Sequence, residues 1–133
     1  MSWKTPWLVA GAAGVALVAV LVAAQPAAGG THPEPRAGIT ADRVLTGAAI
    51  PGTLGAAEAY AAARAAAATL DGVYCHCDCS KHAGHRSLLT CFETNHGAYC
   101  DICMGEAMLA AQLASRGTSL KEIRAAIDAR FGT

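Results

Sequence analysis

Tyr74-Cys75-His76-Cys77-Asp78-Cys79 is the stretch on which the fold turns. Cys91 and then Cys100-Asp101-Ile102-Cys103 follow it, and these six are all the cysteines of the 133-residue chain. In an extended chain, residues i and i+2 point the same way, about 7 Å apart. Cys75, Cys77 and Cys79 therefore line one side, and a bend brings them onto one ion. Disulfide geometry is hard to reach across one intervening residue. The spacing thus favours a soft metal or dithiol chemistry over three independent structural bridges, which stay open as an alternative.

On a helix, Cys100 and Cys103 are i and i+3 and share a face, which Met104, Ala107, Met108 and Ala111 continue. Cys91, beside Phe92, can face the same cluster from a short helix of its own. Gly84-His85 offers an imidazole, with His82 and His96 flanking the loops. The candidate metal ligands are Cys75, Cys77, Cys79, Cys91, Cys100, Cys103 and His85. Thiolates and thioethers select Cu(I), Zn or Fe–S clusters over Mg or Ca. Zn asks for four tetrahedral ligands, and this spacing is no standard finger. Three close thiols suit Cu(I), which ranks first, with Zn second and an Fe–S cluster lower. Met104 after Cys103 argues against a c-type haem.

Outside the cysteines, the chain reads as helical. Thr53 can cap a helix over 54–70, LGAAEAYAAARAAAATL, whose alanines give high helix propensity. Its face Leu54, Ala57, Ala61, Ala65 and Ala68 is narrow enough for close approach of another helix. Ser87 can cap a helix over 88–94, and a third runs from Ala98 to Arg116, stopped by Gly117. Ser119-Leu120-Lys121-Glu122 is a capping box opening a helix to Phe131, with Leu120, Ile123, Ile127 and Phe131 at helical spacing. The expected fold is all-α: about four helices in a small Cys-rich bundle over 53–133, with a cysteine-bearing loop. Asp78, Asp101 and Glu106 are read as solvated, and Lys121, Arg124 and Asp128 as the wet face of the last helix.

Trp7 to Ala24 is an unbroken apolar run preceded by Lys4. Residues 1–24 read as a secretory signal peptide or an N-terminal membrane anchor, and either sends the remainder out of the cytoplasm, where thiols can oxidise. Residues 25–52, rich in Pro and Gly, read as a flexible linker in which His32 is solvated. Ten basic and ten acidic residues leave no net charge, and aromatics are 5% of the chain. That excludes a basic nucleic-acid surface and a base-stacking platform. Beyond residue 24, only 22 apolar side chains larger than Ala and other than Cys are left to build a core. So thin a core calls for disulfides, a metal or a partner.

The run Cys75-His76-Cys77-Asp78-Cys79, then Gly84-His85-Arg86-Ser87-Leu88-Leu89-Thr90-Cys91-Phe92, then Cys100-Asp101-Ile102-Cys103 resembles the bacterial PCYCGC-motif (lipo)proteins over about residues 70–133. Tyr74, His76 and Asp78 stand where the motif has Pro, Tyr and Gly, and the lipid-bearing Cys is missing. The resemblance implies an extracytoplasmic Cys-rich helical domain. More locally, residues 100–132 resemble the thiol-reducing helical domains of CcmH-type cytochrome c maturation factors. That implies dithiol–disulfide exchange, with Cys100 the thiolate at a helix start.

The sequence is read first as an extracytoplasmic soft-metal protein, a carrier, buffer or structural site and not an enzyme. Its expected partners are the ion, the membrane if residues 7–24 stay attached, and a metal-transfer or redox protein. Thiol–disulfide exchange through Cys100 and Cys103, or a disulfide-stapled interaction domain, are the alternatives.

Overall fold

The computed structural model describes residues 30–132. The signal or anchor reading of 1–24 lies outside the described residues. Among them there is no strand, and no helix is long and apolar enough to cross a membrane. Six α-helices follow in order: α1 Ala56–Ala65, α2 Ala67–Asp71, α3 Cys79–His82, α4 Leu88–Glu93, α5 Asp101–Ser115 and α6 Leu120–Phe131. Single 3₁₀ turns lie at Ala41–Arg43, Gly47–Ala49 and His96–Tyr99. The helical class is as expected, with more and shorter pieces than four.

The expected helix over 54–70 is divided at Ala66, whose backbone leaves the helical region (φ −129°, ψ 32°) between α1 and α2. Nothing local in an alanine run requires that break. It also starts later: Gly55, at φ +81°, occupies the cap position, and the Thr53 hydroxyl donates instead to the Ala98 carbonyl. The buried face is Ala56, Ala59, Tyr60 and Ala63, whereas Leu54 is 97% exposed and Ala57, Ala61, Ala65 and Ala68 face solvent. The face expected from Leu54 is therefore the wet one. Tyr60 turns the helix inward by stacking edge-on against Phe92, with ring centroids 4.9 Å apart, and its hydroxyl donates to the Thr94 carbonyl. Burial pushes the Tyr60 hydroxyl pKa up to about 12.

α5 is the central element, lying against α1 and α6. Ala107 and Ala110 are buried on it, and Ala56, Ala59 and Ala63 on α1. Small side chains on both elements permit close approach, through a face of α1 other than the one expected. Gly117, at φ +77°, ends α5: its N–H bonds the Ala114 carbonyl and Thr118 N–H bonds that of Leu113. That pair of bonds is a Schellman motif. The Ser119–Glu122 capping box forms as read, and Ile123 and Ile127 carry α6 into the core.

Residues 30–50 are not a loose linker. Arg64 donates to the carbonyls of Ala41 and Val44, Leu45 N–H bonds the Phe92 carbonyl, and Val44 is buried. Arg124 reaches the Pro33 carbonyl, and Arg86 that of Glu34. Arg36 grips Asp71 through its backbone N–H, at 2.6 Å, and through its guanidinium. The flexible reading of 25–52 fails over this span because the attachments are hydrogen bonds and charges, which leave no hydrophobic period. Arg124 and Asp128, read as wet, are likewise engaged.

Candidate metal centre

Three short stretches bring the sulfurs together. Cys75, Cys77 and Cys79 lie on a tight turn in which Asp78 N–H bonds the Cys75 carbonyl and Asp78 adopts φ +59°. Asp is one of the few side chains that tolerate this left-handed region. The Tyr74 hydroxyl donates to its carboxylate, and Lys81 Nζ donates to the same group at 2.9 Å. Cys91 comes from the buried side of α4. Cys100 is the N-cap of α5, its Sγ accepting the Cys103 N–H at 3.4 Å, so the pair sits at the helix start.

All six cysteines converge. Cys75 Sγ lies 3.4 Å from Cys77 Sγ and 3.3 Å from Cys103 Sγ; Cys77 and Cys103 are 3.6 Å apart, and Cys79 and Cys91 3.4 Å. Among the described residues none is bonded to another. Cys75, Cys79, Cys91 and Cys103 are buried, and Cys77 and Cys100 half-buried. His85 Nδ1 stands 3.3 Å from Cys91 Sγ.

The sequence did not select His96, yet its Nε2 is 3.7 Å from Cys77 Sγ and its ring lies 4.7 Å from that of His85. The signal was there: His96 flanks the loops and stands four residues before Cys100. His82 lies near, 6.1 Å ring to ring from His96, and belongs to none of the metal-competent groups. Met108 is half exposed on a groove with Leu109, Gln112 and Arg130, away from the sulfurs.

Glu106 corrects another expectation. It is fully buried, and its Oε1 accepts from the His76 backbone N–H at 3.0 Å and lies 2.6 Å from His76 Nδ1. Burial raises its carboxyl, opposed by the His76 hydrogen bonds. Glu106 is three residues beyond Cys103 on one helix face, a placement that marks it as inward. It fixes the turn that carries Cys75 and Cys77.

The thiols share protons as a set. The Cys75 hydrogen bond, first among the causes, lowers Cys79 to about 2 and Cys103 to about 3. Hydrogen bonding to Cys103 raises Cys75 and Cys91, and desolvation raises Cys77. Cys100 is also raised, by burial that outweighs the Cys103 N–H. A raised Cys100 thiol runs against exchange chemistry led by Cys100, which needs a low-pKa thiol.

The donors fall into overlapping groups whose atoms all lie within 4.8 Å of one another. Two have four members: Cys77, His96, Cys100 and Cys103, and Cys79, His85, Cys91 and His96. Two have three: Cys75 with Cys77 and Cys79, and Cys75 with Cys91 and Cys103. Four thiolates about 2.3 Å from a tetrahedral ion stand about 3.8 Å apart. The sulfurs are close to that spacing, so the residues present fit a soft ion.

A family model described as "Protein of unknown function with PCYCGC motif" matches residues 54–133. The match reaches back from the cysteine run through α1. No curated protein and no solved structure matches the chain.

Proposed function

Because this chain belongs to the PCYCGC-motif family, whose description assigns no activity, we propose its function from the cluster itself: it binds a soft metal ion, Cu(I) first and Zn second. It acts as a carrier, buffer or structural site. The observation that carries this reading is the convergence of six unbonded sulfurs and two imidazoles, His85 and His96, in one largely buried cluster. Soft donors of this kind hold Cu(I) and Zn in preference to hard cations. Cys103 and Cys79, held low by neighbouring thiols, are ready to ligate. Metal binding here ties the 75–79 turn to α4 and α5, so it contributes to folding.

The apolar run at 7–24 supports placing the domain outside the cytoplasm, secreted or anchored by that run. Its partners there are the ion, the membrane if the run is retained, and a metal-transfer protein. Cell fractionation with N-terminal sequencing tests the location, and recovery of uncut chain from the cytosol overturns it. Anaerobic purification of the full chain followed by elemental analysis tests the function. The expected result is bound Cu or Zn, or stoichiometric uptake of Cu(I) after reduction. A folded protein with three disulfides that takes up no metal after reduction and Cu(I) addition defeats the reading.

A further inference from the structure

Six thiolates and two imidazoles are more donors than one ion can use. A tetrahedral ion takes four, and two ligands bound to it at about 2.3 Å lie no more than about 4.6 Å apart. The donors form two four-member groups that share His96. Cys77, Cys100 and Cys103 lie toward the start of α5, and Cys79, His85 and Cys91 toward α3 and α4, with His96 adjacent to both sets. Cys75 is in neither four-donor set, yet both three-donor groups, Cys75 with Cys77 and Cys79 and Cys75 with Cys91 and Cys103, join one sulfur of each set through it. A thiolate can bridge two ions, whereas each imidazole nitrogen has a single lone pair. Charge points the same way. Six thiolates around one divalent ion keep four net negative charges in a largely buried site; around two they keep two. Among the described residues no Lys or Arg hydrogen-bonds any of these sulfurs.

We propose that the cluster holds two metal ions, one in each donor set, with the Cys75 thiolate shared between them. This rests on the soft-metal reading above and fixes its stoichiometry. Cys75 is thereby the fourth ligand of both ions, beside Cys77, Cys100 and Cys103 for one and Cys79, His85 and Cys91 for the other, and His96 stands next to both. Binding is ligand exchange without electron transfer: each ligating cysteine that is still protonated releases its proton to solvent and each ion sheds water.

The test uses the full chain, reduced and kept anaerobic, titrated with Zn(II) and weighed by native mass spectrometry. Two ions per chain are expected. Cys100→Ser and Cys91→Ser should each drop the count to one. Loading with the NMR-active isotope of cadmium should give two resonances, split by each other and both correlated to the Cys75 β-protons. Cys75→Ser should abolish the splitting; if that variant fails to fold, the spectrum of the unaltered chain still decides. A count of one ion, or two resonances that share no cysteine, overturns this proposal and leaves soft-metal binding standing. A count of zero defeats that reading itself.

Discussion

Asp71→Ala removes the group that fastens residues 30–50 to the helices. Its side chain is fully buried. It accepts the Arg36 backbone N–H at 2.6 Å, Arg36 Nη2 at 2.7 Å and the Ser87 hydroxyl at 3.2 Å, and Arg86 Nη1 stands 2.9 Å away. The Arg36 and Arg86 side chains are 35% and 37% exposed, so both rehydrate when the carboxylate goes, and their bonds count at a discount. The Arg36 amide is left without its acceptor, at about 1–3 kcal/mol. With about 1–2 kcal/mol for the screened charged bonds, the expected loss is about 3 kcal/mol. Burial pushes the Asp71 carboxyl up, but the Arg36 hydrogen bonds outweigh it and hold it below the ordinary value of 3.8. A depressed folded pKa stabilises above the unfolded value and loses that contribution as pH falls through the folded one. The gap between the parent chain and Asp71→Asn should therefore close as pH drops below about 4. Urea unfolding followed by circular dichroism measures both effects, and limited proteolysis should show faster cutting within 30–50 in Asp71→Ala. A cost under about 0.5 kcal/mol, with unchanged cutting, would mean that the segment is the spacer its composition suggests.

Further expectations concern the cluster and its surroundings. Zn(II) or Cu(I) at a hundredfold excess over its Kd should stabilise the reduced chain by about 2.7 kcal/mol per ion. At about 4–8 °C per kcal/mol for a domain this size, that is a large rise in Tm, reversed by a chelator; an unchanged Tm counts against linkage of binding to folding. Gly97→Ala would place a Cβ 2.8 Å from the Phe92 ring and 3.1 Å from the Cys91 carbonyl oxygen. Phe92 is fully buried against Tyr60 and cannot swing away, so the substitution should cost about 1–3 kcal/mol and weaken metal uptake by displacing His96; an unaltered melting curve contradicts that packing. Tyr74→Pro deletes the N–H that His32 Nδ1 accepts at 2.9 Å, and should cost about 1–2 kcal/mol by thermal unfolding while leaving metal stoichiometry unchanged.

The clearest signals in the sequence were those with a local cause. The Ser119 capping box and the spacing of Ile123 and Ile127 placed α6 at its observed bounds. Gly117 marked the end of α5 because only a residue at ease with positive φ closes a Schellman motif there. The cysteine spacing foretold convergence, since a turn at 75–79 can meet only what the helices present. The alanine run failed for the opposite reason: a helix of alanines looks alike from every side. Only Leu54, Tyr60 and Leu70 carry weight in it, and the buried face follows Tyr60 and Leu70 while Leu54 stays in water. The attachments of residues 30–50 were illegible because arginines reaching backbone carbonyls obey no period. His96 and Glu106 were within reach, one leading to Cys100 and the other one helical turn beyond Cys103.

The three positions at which this chain departs from the PCYCGC motif turn out to be linked. Tyr74, in place of Pro, supplies the N–H that His32 accepts. Once Nδ1 of a neutral His32 accepts, Nε2 carries the ring proton, and it lies 2.9 Å from Asp128 Oδ1. Burial lowers the pKa of His32, with Asp128 opposing, which favours that neutral tautomer. His76, in place of Tyr, lies 3.1 Å from the same Asp128 oxygen and 2.6 Å from Glu106. Asp78, in place of Gly, stands at the left-handed position that glycine fills most easily, and the Tyr74 hydroxyl holds its carboxylate. The Tyr74 ring also occupies the space a side chain at residue 30 would need. Tyr74 and His76 therefore move support for the cysteine turn onto His32, Glu106 and Asp128, and Asp78 is held by Tyr74 and Lys81. A Pro at 74 and a Tyr at 76 would keep the thiol spacing and lose the bond to His32 and the imidazole contacts to Glu106 and Asp128. The turn that presents Cys75, Cys77 and Cys79 is thus held from behind by a polar network, while its front faces the other sulfurs.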